Sequence, residues 1–339
     1  MKCKSLSFHL VIAAVAIAFF SANPARAAEE RSYLLATATT GGTYYPVGVA
    51  ISTLTKVKLQ PKHKIGMSAI NSAGSGENIK LLRDDEVQFA ILQGLFGYYA
   101  WNGKGPLEND GPQKELRSVT MLWQNVEHFT ILADKAKTGT IADLENLKGE
   151  RMALGAKNSG TIGSNKFLLG NLGLDAEKDF ELVYGGYGPS ADALQNGQIS
   201  GLGIPGGAPT GAITRVMAAM GDKIQILDFT DEQAKKADGG FELYTRYVIK
   251  SGTYPGQAKD INTIAQPNFL AVRADVDEEA VYMITKTIYE NLPFLNAIHK
   301  ATSVMALEKA LAGLPMPLHP GAAKYFKEAG LDIPARLMP

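Results

Sequence analysis

The stretch with the clearest chemistry is Thr39-Thr40-Gly41-Gly42-Thr43-Tyr44-Tyr45-Pro46-Val47-Gly48. Hydroxyls and glycines are packed into one turn between an apolar run, Tyr33-Leu34-Leu35-Ala36, and an amphipathic run from Val49 to Leu59. The first run reads as a strand and the second as a helix. Glycine lets the backbone approach a ligand closely and adopt positive φ. A helix start presents unpaired N–H groups and a partial positive charge, which suits a carboxylate or another anion. Thr40, Gly42 and Thr43 are candidate ligand contacts, with Tyr44 and Tyr45 as walls of a small pocket.

Similar loops recur at strand ends: Asn71 to Gly76, Gln93-Gly94, Gly155 to Thr161, Gly185 to Pro189 and Pro205 to Thr210. From these, Ser75, Asn78, Gln93, Ser159, Gly160, Thr161, Tyr187 and Gly207 join the candidate site. Ser159, Gly160 and Thr161 open a helix and can hold an anion through their N–H groups. The plain alternative for Ser75 and Asn78 is helix capping.

Catalytic and cofactor motifs fail on inspection. Gly201-Leu202-Gly203-Ile204-Pro205-Gly206 has the dinucleotide spacing, but its first two glycines fall inside an expected strand and Pro205 interrupts the turn. Gly155 to Thr161 has the P-loop glycine spacing without the Lys-Ser/Thr pair. His63, His128, His299 and His319 lack metal-ligand spacing. The reading is therefore a binding protein with no cofactor and no catalytic residues.

Strand-like and helix-like runs alternate along the chain, which argues for mostly parallel sheets covered by helices. Ligands of such sheets bind beyond the carboxyl ends of the strands. Two sets of polar loops at such ends, one per domain, would face each other across a cleft. Expected strands include 64–70, 87–92, 116–122, 126–133, 151–154, 180–184, 200–204, 224–229 and a return at 269–273. Expected closing helices are 277–299, 303–311 and 321–329.

The N-terminus reads as an export signal. Lys2 and Lys4 precede an unbroken apolar run from Leu10 to Phe20, and Ala25-Arg26-Ala27 offers a cleavage site after Ala27. Cys3, the sole cysteine, falls within it, so the mature chain would carry no disulfide. Losing Lys2, Lys4 and Arg26 from a balanced 34 basic and 34 acidic residues leaves a slight negative charge. No basic patch suggests nucleic acid or a membrane surface as a partner, and no exposed apolar stripe obliges an oligomer, so a monomer is expected.

In order along the chain, Gly41-Gly42-Thr43-Tyr44-Tyr45-Pro46, Gly74-Ser75-Gly76-Glu77-Asn78, Leu147-Lys148-Gly149, Gly186-Tyr187-Gly188 with Ala191-Asp192-Ala193-Leu194, Gly207-Ala208-Pro209-Thr210, Gly252 to Gln257 and Leu314 to Gly321 form a set. In that set the chain closely resembles the TAXI group of extracytoplasmic solute receptors of tripartite ATP-independent periplasmic (TRAP) transporters.

The resemblance implies a two-domain hinged α/β periplasmic binding protein of type II-like fold, with a ligand cleft between lobes. The implied lobes are 28–127 plus 270–339 and 128–269. It implies a periplasmic receptor that hands a small organic acid or acidic amino acid to a TRAP-type membrane permease. A ligand-sensing module or an enzyme on the same hinged fold is the alternative.

Several positions depart from the family pattern. Leu95, Asn125 and Pro189-Ser190 stand where acidic residues are common, and Lys157 stands where proline is common. The expected ligand is therefore a net anion without an amino group, with Lys157 as its charge partner.

Overall fold

The computed structural model describes residues 30–339. The expected signal segment and its cleavage site lie outside the described residues. The strands are β1 (Arg31–Ala36), β2 (Ile65–Ile70), β3 (Phe89–Gln93), β4 (Leu116–Val126), β5 (Phe129–Leu132), β6 (Arg151–Ala153), β7 (Glu181–Leu182), β8 (Gly201–Gly203), β9 (Ile224–Ile226), β10 (Thr245–Ile249) and β11 (Ile261–Arg273). The helices are α1 (Tyr44–His63), α2 (Ser75–Arg83), α3 (Gly94–Asn102), α4 (Gly160–Leu172), α5 (Ala176–Asp179), α6 (Tyr187–Gln195), α7 (Gly211–Met220), α8 (Asp231–Asp238), α9 (Glu278–Glu290), α10 (Leu292–Ile298) and α11 (Pro320–Glu328). Among the described residues no helix is long and apolar enough to cross a membrane.

Two sheets organise two lobes. The first runs β10-β11-β3-β1-β2, with β4 on the other edge of β11, and the second runs β7-β6-β8-β5-β9. β1 pairs in parallel with β2 and β3, and β6 pairs in parallel with β7 and β8. This parallel pairing is what strand-helix alternation produces. The first lobe packs one core that includes Leu35, Ile51, Phe89, Ile91, Trp123 and Phe269. The second sheet is covered on both faces, by a cluster around Phe129, Ile131 and Met152 and by another around Leu202, Ile204 and Val216.

β4 and β11 join the lobes. They pair antiparallel from Leu116–Arg273 to Val126–Ala265. Leu116 to Trp123 and Phe269 to Val272 are buried in the first core, whereas Val126, Ile261 and Ala265 are buried in the second lobe. This two-stranded ribbon is the hinge.

Some expected boundaries move. α1 begins at Tyr44, five residues before the amphipathic run, and continues through Pro61 to His63. The return strand is much longer than 269–273, because Gln266, Pro267 and Asn268 interrupt its apolar pattern. The ladder absorbs them with a register shift between Asn268 and Phe269. The helix expected over 277–299 breaks at Asn291, where Pro293 opens α10. The segment 303–311 forms only short 3₁₀ turns.

Candidate functional site

The lobes touch, and between them lies a narrow cavity of about 30 Å³. Its walls include Thr39, Gly42, Thr43, Tyr44, Gly74, Ser75 and Gln93 from the first lobe, and Ser159, Gly160, Thr161, Gly186, Tyr187, Pro205 and Gly206 from the second, with Asn125 from the hinge. Among the described residues no charged side chain lines it.

Four helices start at this cavity, two from each lobe: α1, α2, α4 and α6. Three of them, preceded by Thr43, Gly74 and Gly186, have no side-chain cap. Only α4 has one, from the Ser159 hydroxyl, which accepts from the Ile162 N–H. The first turns of α1, α4 and α6 carry no acid. Glu77, in the first turn of α2, accepts a hydrogen bond from the Ala73 N–H. Away from the cavity the first turns vary: α8 opens with Asp231 and Glu232 and α9 with Glu278 and Glu279, whereas α7, α10 and α11 carry no acid. Helix N-termini favour negative charge, and three of the four that face the cavity carry no acid of their own.

The side chains around these starts hold the lobes in register. The Thr43 hydroxyl donates to the Gly207 carbonyl at 3.2 Å and accepts from its N–H at 3.0 Å. Gln93 Nε2 donates to the Gly160 carbonyl at 2.7 Å, and its Oε1 accepts from Asn125 Nδ2 and Gln266 Nε2. Gln266 and Asn125 stand opposite each other in the hinge ladder, which brings both amides to Gln93. The Tyr187 hydroxyl donates to the Pro205 carbonyl at 2.7 Å and lies 2.8 Å from the Thr161 hydroxyl. Burial raises the Tyr44 phenol above its usual range, so it stays neutral, and it donates to Asn268 Oδ1 at 2.5 Å.

Of the candidates read from the sequence, Gly42, Thr43, Tyr44, Ser75, Gln93, Ser159, Gly160, Thr161 and Tyr187 line the cavity. The others are placed elsewhere. Thr40 is exposed at the outer edge of its turn, and Tyr45 lies one residue past the wall. Asn78 is fully buried and donates to the Thr37 and Ile91 carbonyls, tying α2 to the sheet. Gly207 is the interlobe partner of Thr43 and not part of the wall.

Lys157 is exposed outside the cavity, its ammonium 5.2 Å from the centre of the Tyr184 ring. The expectation of a lysine charge partner in the cavity is corrected: solvent and an aromatic face take the ammonium. Thr39, Asn125, Pro205 and Gly206 line the cavity without having been chosen. Strand alternation along β4 was the available signal for Asn125.

His128 follows β4 in the hinge. Its Nδ1 lies 3.1 Å from the Ile204 carbonyl, which can only accept, so Nδ1 carries the proton. Nε2 then accepts from the Tyr254 hydroxyl at 2.7 Å. Burial pushes the imidazole down to about 4. The unfolded chain binds this proton at its ordinary value near 6.5 and the folded chain does not, so the neutral imidazole's contribution is present above 6.5 and lost as pH falls through about 4. Denaturant melts between pH 7 and pH 4.5 are expected to show a component of about 2 kcal/mol that His128→Asn lacks. The same pH dependence in the variant would assign it elsewhere.

A family model described as NMT1-like matches residues 35–330. The chain belongs to the NMT1-like family. Among solved structures, this NMT1-like protein is similar to MatC from Rhodopseudomonas palustris with bound malate, at 14% identity over 88% of this chain and 97% of that one, with a TM-score of 0.53. It is also similar to XAC2383 from Xanthomonas citri bound to ATP, at 12% identity over 88% and 95% of the two chains, with a TM-score of 0.50. At these identities the likeness is one of fold. This NMT1-like protein has the two-lobed α/β fold of periplasmic binding proteins.

Proposed function

We propose that this chain is a periplasmic solute-binding receptor that captures a small organic anion between its lobes, at 28–127 plus 270–339 and 128–269, and passes it to a membrane permease. The observation that carries this reading is the meeting of four helix N-termini, two from each lobe, at a cavity lined by no charged side chain among the described residues. An anion there is held by backbone N–H groups and helix ends from both sides, so its binding favours the closed pair of lobes. Among the described residues no carboxylate lines the wall to receive an ammonium, which favours a keto- or dicarboxylate over an acidic amino acid. The bound malate of MatC, a protein of the same fold, fits this class. The ordered motifs around Gly41, Gly74, Gly186 and Gly207 support assignment to the TAXI type of TRAP receptor, captured solute being delivered unchanged.

A thermal-shift and calorimetry screen with succinate, malate, 2-oxoglutarate and glutamate tests this. A ligand of the folded state at a hundredfold excess over Kd stabilises by about 2.7 kcal/mol. Stabilisation by the amine-free acids and not by glutamate is expected. A response to glutamate alone would remove the argument from the missing carboxylate, and conversion of a bound acid to product would favour an enzyme.

A further inference from the structure

Two residues beyond Asn125, where the chain passes from β4 to β5, is Glu127. It is fully buried, and neither carboxyl oxygen has a hydrogen-bond partner among the described residues. Its main chain is tied to β11: the N–H donates to the Ile264 carbonyl, and the carbonyl accepts from the Thr263 hydroxyl. The main chain of Glu127 is thus fixed in the hinge, and its buried carboxyl lies near enough to Tyr187 of the cavity wall for its charge to raise that phenol.

We propose that Glu127 determines the charge specificity of the cavity: its carboxyl is neutral when the anion is held, and its ionised form excludes the anion. This inference rests on the anion reading of the site.

A buried carboxylate without a donor is strongly disfavoured, because burial removes its water and nothing replaces it. Burial accordingly pushes Glu127 up to about 8. The groups that face it are Tyr187 on α6 and Tyr244 before β10. Burial raises both phenols, and the Glu127 charge raises both further. Asp238, beyond Tyr244, accepts the N–H groups of Glu242, Leu243 and Tyr244. The neighbouring His128 is turned to Ile204 and Tyr254 and is neutral above about 4. β11 offers Thr263, Ile264 and Gln266, none titratable. No cation among these groups answers an ionised Glu127. Its charge would act through a low-dielectric wall on a cavity otherwise biased towards anions.

The test is calorimetric titration of the mature protein with succinate, malate and 2-oxoglutarate from about pH 6.5 to 9.5, a range in which these acids are predominantly dianions and change little in charge. If only the protonated form binds, affinity falls about tenfold per pH unit above about 8. Glu127→Gln, which is neutral throughout, should keep its pH 6.5 affinity across the range. Binding with a flat profile in the wild type overturns the inference and leaves the anion reading standing, as does a decline retained in the variant. No binding of any of the three acids at pH 6.5 overturns both. If the variant does not fold, infrared titration of the wild type decides: a protonated carboxyl lost near pH 8 supports the assignment, and its absence at pH 7 refutes it.

Discussion

Gly76→Ala should weaken ligand binding by roughly 5- to 150-fold while leaving the separate lobes at least as stable as before. Gly76 is at the second position of α2 with ordinary helical backbone, so alanine fits the helix and is favoured there by up to about 1 kcal/mol. The difficulty lies across the cleft. A Cβ at Gly76 would sit 2.3 Å from the Asn158 carbonyl oxygen, which is backbone of the other lobe. Relief requires moving the loop that leads into α4 or holding the lobes apart. Overpacking of this kind costs about 1–3 kcal/mol, and here it falls on the closed state alone.

Gly163→Ala makes the same test from the other side, since its Cβ would lie 2.4 Å from the Phe96 ring. Gly170→Ala, in the same helix α4 with nothing within 4 Å, is the control and should bind normally. Calorimetry gives the affinity and small-angle scattering the lobe separation. Normal affinity in Gly76→Ala would mean that the closed contact seen here is not the one that holds ligand.

This seam also shows what the sequence could and could not reveal. Glycine-hydroxyl loops after strands were legible because strand, turn and helix start are local, and these loops bring Gly42, Ser75, Gly160 and Tyr187 to the cavity. Which side chain of a loop turns inward was not legible. Asn78, in α2, and Lys157, in the loop before α4, stand beside the cavity-lining residues, but one is drawn inward by the Thr37 and Ile91 carbonyls and the other is left to solvent. The hinge was obscured for a related reason. Gln266, Pro267 and Asn268 break the apolar run that would announce a strand, yet Gln266 is the residue whose amide meets Gln93. Glu127 gave no sign of its burial: it falls within the expected strand 126–133, where an isolated glutamate is ordinarily a solvated residue. Only the pairing of β4 with β11 shows it to be buried.

Replacing Glu127 by glutamine should remove most of the alkaline loss of stability. The folded-state carboxyl titrates near 8 and the unfolded one near the ordinary 4.5. Between those values the folded chain keeps a proton that the unfolded chain has released, so stability falls as pH rises. The contribution is complete below about 4.5 and gone above about 8. Its full span is on the order of 3–5 kcal/mol, a large part of the 5–15 kcal/mol typical of a folded domain.

His128 acts with the opposite sign from about 4 to 6.5, so in the wild type the two slopes offset one another on the acidic side. The Glu127 term stands alone from about 6.5 to 8. Guanidinium midpoints should therefore fall across that interval in the wild type and stay level in Glu127→Gln. On the acidic side the variant should show the His128 rise without its counterweight. A buried glutamine amide without partners costs about 1–3 kcal/mol in its own right, so the slope with pH is the decisive quantity and not the midpoint at any one pH. Equal slopes in the two proteins would mean that Glu127 is ionised or hydrated in the folded state, and its control over the charge of the cavity would fall with that result.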